Sequence, residues 1–236
     1  MVYSGELNSL STEPERIAVD ESVGGQQKID IFLESILNWT QEIFGSDQII
    51  KAKEEFYSKN GKVFHDDIIF NNRMAYFVDF FIFQRPLETS DDVFSFQTPF
   101  QAFCLEGPGK GRVFVLQYRL SLYKILRIKK SEIVLKDLFL DKKLAVTVLS
   151  KMSCRGLQKG DYFQGFVYTS TEGKILSKGL IFHPFDVIGI IKSRIKKIGK
   201  EDHWEHLRVL SLLAKQQLRH FRHSHVHPKV IYDQLP

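Results

Sequence analysis

The residues with the most obvious chemical potential crowd the C-terminal end of the chain. His220, His223, His225 and His227 fall within eight residues, and His203 and His206 precede them on the same helical stretch. His220 and His223 are spaced i, i+3, which sets two imidazoles on one helix face and suits a transition metal. These two are the candidate metal ligands. The cluster has no HExxH spacing, no cysteine beside it and no carboxylate at a ligating interval. Cations at a helix C-terminus also complement the helix dipole without any metal. The sequence therefore predicts neither a metal nor a cofactor.

The same end is basic. From Lys192 to Lys229 there are ten Lys or Arg against three Asp or Glu, a local charge of +7 in a chain whose formal net charge is +5. Lys192, Arg194, Lys196 and Lys197 lie close together, and Arg219 and Arg222 follow on the last long helix. These six are the candidate contacts to a nucleic-acid phosphate backbone. No helix-turn-helix, zinc-finger or RNA-binding signature accompanies them, and charge runs usually mark the solvated face of an amphipathic helix.

Other polar clusters have simpler readings. In His65-Asp66-Asp67 the sequence reads Asp66 as the N-cap of a helix. Asp91-Asp92 falls in a linker and has no partner in sequence to set the geometry that paired carboxylates need. Cys104 follows an apolar run and reads as a small buried residue. Cys154 has Arg155 beside it, and a neighbouring cation lowers a thiol pKa, but neither cysteine sits in a nucleophile motif. Gly107-Pro108-Gly109-Lys110-Gly111 lacks the G-x-x-x-x-G-K-[ST] spacing of a phosphate loop and reads as a connector. No nucleophile, base and orienting group can be assembled, so the sequence predicts that the protein is not an enzyme.

The elements that carry these residues follow from hydrophobic periodicity. Residues 1–26 are polar and aperiodic, which predicts a disordered tail. Residues 27–106 read as helical. Ile29, Phe32, Leu33, Ile36 and Leu37 share a face up to Gly45, and a second helix runs over Asp47–Lys59. A third, from about Asp66 to Gln84, has Ile68, Phe70, Met74, Phe77, Val78, Phe81 and Ile82 on a broad apolar surface. Arg85-Pro86 ends it, and Thr98-Pro99 starts a short helix through Cys104.

Residues 107–184 form the β segment. Apolar and polar residues alternate over Ser121–Lys129, Ile133–Leu138, Leu144–Leu149, Tyr162–Tyr168 and Ile175–Phe182, with turn residues between the runs. Tyr123, Ile125, Leu138 and Phe166 are the expected core positions. Residues 185–236 return to helix. One helix follows Pro184, and a second, about Glu201–His223, turns Trp204, Leu207, Leu210, Leu213, Ala214 and Leu218 inward. The last residues read as irregular.

The chain has 236 residues, 20 of them phenylalanine, so aromatic packing is expected to dominate the core. No segment has signal-peptide or membrane-span character. Two distant cysteines fit a reducing compartment. These features predict a cytoplasmic protein that meets no membrane.

The pattern R-x-S-L-Y-x-I-L-x-I, then L-x-D-L, then L-x-x-G-D resembles a β module of uncharacterised bacterial proteins. It is carried by Arg119, Ser121, Leu122, Tyr123, Ile125, Leu126, Ile128, Leu135, Asp137, Leu138, Leu157, Gly160 and Asp161. Residues 56–184 share the resemblance, which brings no activity with it. Arg112–Arg119 reads equally as a helix or as the first strand, and the resemblance favours helix. The fold class expected is α+β: N-terminal helices, a central antiparallel β meander or small barrel, and two C-terminal helices. The function expected is a non-enzymatic binding or adaptor protein with an unidentified protein partner. The alternative is a nucleic-acid-binding protein using the basic C-terminal helices.

Overall fold

The computed structural model describes residues 25–89, 94, 96–109, 115–130, 132–147, 156–170, 173–200 and 202–234. The fold is α+β, with helices on both sides of one antiparallel curled sheet in chain order. The expected disorder of residues 1–26 falls almost entirely outside the described residues, as do Asp91, Asp92 and Cys154.

Helix α1 (Gly25–Phe44) buries Ile29, Phe32 and Ile36 at helical spacing, and Gly45 ends it at φ +81°. Helix α2 (Asp47–Asn60) buries Ala52 and Phe56. Helix α3 spans Phe70–Phe83, shorter than the periodicity suggests. The residues before it form turns in which Asp67, not Asp66, organises the backbone by accepting from Phe64 N at 2.8 Å. Ile68 therefore stands outside the helix and is 91% exposed, contrary to its expected burial. Helix α4 (Pro99–Leu105) starts as expected: Thr98 and Gln101 form a reciprocal capping box with proline at the first turn.

The sheet contains β1 (Val115–Ile128), β2 (Glu132–Asp137), β3 (Lys142–Thr147), β4 (Tyr162–Ser170), β5 (Gly173–Leu176) and β6 (Ile181–His183). The order is β3-β2-β1-β4-β5, and β6 pairs with the same edge of β4 further along. The chain is thus not a simple meander. The connection after β3 brings β4 back beside β1, so the two longest strands lie at the centre. Strand β1 covers 115–119, which overturns the helix favoured for Arg112–Arg119 over the described part of that stretch; β4 supplies a ladder partner from Ser170 onward that a local reading does not see. The expected run Ile175–Phe182 is split into β5 and β6 by residues 177–180, which leave the ladder and rest on α3. A Cβ at Gly179 would lie 2.4 Å from Tyr76 N, so only glycine permits that approach.

Both faces of the sheet are buried. Leu120, Leu122, Phe166, Tyr168, Ile175 and Ile181 meet the helices. Tyr123, Ile125, Ile133, Leu135, Val146, Phe163, Val167 and Leu176 form a separate cluster of strand residues on the inside of the curl. The edge strands β3 and β5 approach each other, and a Cβ on Gly173 would touch Thr147 Oγ1 at 2.7 Å. The sheet is a half-barrel. Of the expected core residues, Tyr123, Ile125 and Phe166 are buried. Leu138 is only half-buried, because the strand ends at Asp137 and the turn hands the core position to Phe139.

A short 3-10 turn (Phe185–Val187) leads into α5 (Ile188–Lys196), followed by α6 (His203–Arg222). Helix α6 buries Leu210, Leu213, Ala214 and Leu218, but Trp204 sits in its first turn and is 80% exposed, not inward. The terminal residues are not irregular throughout. Pro228–Asp233 form α7, which buries Ile231 and Tyr232. No helix among the described residues is long and apolar enough to cross a membrane.

Candidate functional site: the cationic mouth of the half-barrel

The curl of the sheet leaves a cavity of about 580 Å³ at one end of its inner face. Alternation along β1 and β4 places Gln117, Arg119, Val167 and Thr169 on that face, and the register with the outer strands adds Asp137, Lys142, Leu144 and Lys174. Tyr123 and Val167 lie at its inner limit, where the packed core begins. Arg119, Lys142, Lys143 and Lys174 make the rim cationic, and Asp137 is the one carboxylate among the lining residues.

Asp137 fixes the geometry. It is buried and accepts four hydrogen bonds. Oδ1 takes Ser121 Oγ at 2.8 Å, Phe139 N at 3.0 Å and Leu140 N at 3.1 Å, while Oδ2 takes Arg119 Nε at 2.7 Å. One side chain therefore closes the β2–β3 turn and orients the guanidinium. The Tyr123 hydroxyl donates to Arg119 O at 3.2 Å, and burial pushes its pKa up, so it stays protonated. Lys142, Lys143 and Lys174 form no ion pair with any described residue. His203, at the start of α6, is not among the lining residues; partial burial, then His206 and Arg119, lower its pKa. The arrangement can bind and orient an anion. The lining residues offer no nucleophile beside a general base, since the one carboxylate is committed to four donors.

The motifs of the β segment converge here. Arg119 and Ser121 of R-x-S-L-Y and Asp137 of L-x-D-L are strangers in sequence and become one hydrogen-bonded unit across β1 and β2. Gly160 and Asp161 of L-x-x-G-D have a structural task. Gly160 sits at φ +99°, its N–H bonds to Ile125 O, and Asp161 O accepts from Ile125 N, so the pair docks the start of β4.

Two further polar clusters are internal. Asp79 of α3 is buried and accepts from the Tyr168 hydroxyl and from Ser177 Oγ, which in turn accepts from Gly179 N at 2.9 Å. Burial raises the Asp79 pKa to about 7 against the lowering effect of both hydroxyls. A cavity of about 250 Å³ between α1 and α3 lies beside it, but both carboxylate oxygens are occupied. The second cluster joins His183 to the Tyr232 hydroxyl at 3.0 Å and to Gln164 Oε1 at 3.2 Å, and Gln164 donates to the Tyr76 hydroxyl and Leu210 O. Burial lowers His183 to about 3, so the ring is neutral. Arg73 is buried nearby and donates to Ala214 O and Gln217 Oε1. These groups lock α3, α6 and α7 to the sheet.

The basic end is less uniform than its sequence suggests. Lys192, Lys196, Lys197 and Arg219 are exposed, and the Lys192 ammonium stands 5.4 Å from the centre of the Tyr162 ring. Arg194 is half-buried, which corrects its expected exposure. Its guanidinium donates to Gln216 Oε1 at 2.8 Å and to Tyr232 O, clamping α5 to α6 and α7. Arg222 donates to Lys62 O at 2.9 Å and Asp67 Oδ2 at 2.7 Å while covering the Phe64 ring. His220 Nδ1 is buried without a hydrogen-bond partner among the described residues, and the exposed His223 faces His225 edge to face. No group of three or more His, Cys, Asp or Glu among the described residues is placed to hold a metal ion. Cys104 is half-buried, and burial pushes its thiol up to about 11.

Arg194→Ala is expected to lower stability by about 1.5–3 kcal/mol, the usual effect of removing hydrogen bonds from a charged donor. Lys196→Ala is expected to stay within about 0.5 kcal/mol, as exposed substitutions do. Urea midpoints of the two variants measure the difference, and equal midpoints would show that the clamp carries no weight.

No family model matches the chain, nor does any curated protein or solved structure.

Proposed function

We propose that this is a non-enzymatic binding protein that takes an anionic ligand at the mouth of its half-barrel. The observation that carries the reading is Arg119 held by the buried Asp137 at the rim, with Lys142, Lys143 and Lys174 around the same cavity. Orientation by a saturated carboxylate lowers the entropic cost of placing the guanidinium on a ligand. The same saturation withholds from catalysis the one carboxylate among the described lining residues. The cavity volume lies in the range of small-molecule sites. The basic C-terminal helices support a nucleic-acid surface less well, since the half-buried Arg194 is spent inside the fold and the exposed Arg222 is already paired with Asp67. Two widely separated cysteines accord with a reducing cytoplasm.

Thermal unfolding in the presence of anionic, neutral and cationic small molecules tests the reading. An anion at roughly ten times its Kd should stabilise the protein by about 1.4 kcal/mol. Lys142→Glu with Lys174→Glu should abolish that gain without unfolding the protein, both side chains being exposed. An unchanged gain in the double variant would remove the mouth as the site, and stabilisation by cations alone would reverse the charge assignment.

A further inference from the structure

We infer that the anion taken at this mouth is the phosphoryl group of a compact phosphorylated small molecule, held by Arg119, Lys142, Lys143 and Lys174. The inference rests on the mouth being the binding surface and names the class of ligand it takes.

Charge comes first. Four cations face one carboxylate, and that carboxylate is hydrogen-bonded on both oxygens within the protein. The surplus positive charge matches a dianion better than a single carboxylate. Donor geometry points the same way. Arg119 spends Nε on Asp137, which leaves its two terminal nitrogens as a fork for paired oxygens. Lys142 and Lys143 come from β3 and Lys174 from β5, so the ammonium groups reach the cavity from the two approaching edges of the sheet. Lysines act as mobile point charges and arginine as a planar fork, a combination suited to a tetrahedral group whose oxygens point in several directions.

The shape of the cavity sets the size of the ligand. At about 580 Å³ it exceeds what a bare phosphate fills, and Leu140, Leu144 and Val167 provide an apolar wall for an organic body. The packed strand core closes the cavity on its inner side, with Tyr123 buried there. The ring of Tyr118, the other aromatic residue of the lining, packs 4.4 Å from Phe83 and 5.4 Å from Phe100. A nucleic-acid strand needs exposed rings on which successive bases stack, and the described lining residues supply none.

Calorimetric titration of the full chain at fixed ionic strength tests this with inorganic phosphate, glucose phosphate, adenosine monophosphate, phosphoglycerate, glucose, citrate and a short single-stranded oligonucleotide. At least one of the three phosphomonoesters should bind about tenfold or more tightly than inorganic phosphate, and glucose should not bind. Arg119→Lys keeps the charge and loses the fork, so it should weaken that monoester by about tenfold or more, the effect of losing a charged hydrogen bond. Lys142→Gln with Lys174→Gln should do the same while the far-ultraviolet spectrum stays unchanged. Tighter binding of the oligonucleotide, equal binding of inorganic phosphate, or no binding of any phosphate compound overturns the inference. Citrate bound at the mouth with no phosphomonoester would overturn the ligand class and leave the binding surface standing. A monoester whose affinity ignores both variants would overturn the surface itself.

Discussion

Replacing Asp79 by Asn is expected to abolish a loss of stability of about 4 kcal/mol that the wild-type protein undergoes between roughly pH 4 and pH 8, the value of three pKa units at one buried group. Burial raises the Asp79 carboxyl to about 7 from an ordinary 3.8. A raised pKa means that the folded state holds a proton the unfolded chain releases. Stability from this group is therefore complete below the unfolded value and falls as pH rises through the folded one. The surroundings set the direction. Tyr168 from β4 and Ser177 from the edge of the sheet donate to the carboxyl and lower its pKa, while burial, with a smaller push from Asp30 on α1, raises it. Lys178 faces the same region, but its ammonium is paired with Asp30, and Glu34 lies across the neighbouring cavity.

The amide of the Asp79→Asn variant keeps the shape of the carboxyl and can accept from one hydroxyl while donating to the other. Urea denaturation of both proteins at a series of pH values isolates the effect as a difference. Asp67, Glu88 and Asp141 have lowered pKa values and lose stabilisation at the acid end, with the opposite sign, but they do so in both proteins. The variant should be the more stable protein above about pH 7 and lose that advantage toward pH 4. Parallel curves would mean that Asp79 is ionised in the fold at neutral pH.

What the sequence discloses and what it hides divide along the range of the interactions. Period-two alternation and turn residues mark β2, β3 and β4, because each strand is buried on known faces and bounded by local signals. The Thr98-Pro99 start of α4 is equally legible, being a cap made within four residues. The start of β1 is hidden, since its first residues become strand only by pairing with the end of β4. Phe139 and Leu138 are indistinguishable until the position of the turn decides which one points inward. The terminal Ile231 and Tyr232 look like a tail because their partners, Gln216 and Arg194, lie on other helices. The mouth is half legible. Arg119, Ser121 and Asp137 stand out as motif residues, but their convergence depends on strand register. Lys142, Lys143 and Lys174 read only as turn lysines until the sheet curls. Clustering in sequence draws attention to the basic C-terminal end, whereas the cations that share a cavity come from β1, β3 and β5.

Asp137→Ala is expected to cost about 2–4 kcal/mol, since the donors around a buried carboxylate lose a charged acceptor while the partly exposed Arg119 returns to water. The substitution strips acceptors from Phe139 N, Leu140 N and Ser121 Oγ at once and frees Arg119. It also loosens the turn that delivers Phe139 to the core against His206, whose ring lies 4.1 Å away. Asp137→Asn separates the two duties of the residue. An amide oxygen can still accept from the turn N–H groups, so the cost should fall to about 1–2 kcal/mol, near that of a single hydrogen bond. The amide carries no charge to orient the guanidinium, so anion binding at the mouth should weaken even though the fold survives. Chemical denaturation gives the stabilities, and titration with the tightest-binding anion gives the affinities. A loss below about 1 kcal/mol in Asp137→Ala would show that the turn is held by packing rather than by the carboxylate. Undiminished anion affinity in a folded Asp137→Asn protein would show that Arg119 needs no orientation to bind, and the mouth would then be a patch of exposed charge rather than a preorganised site.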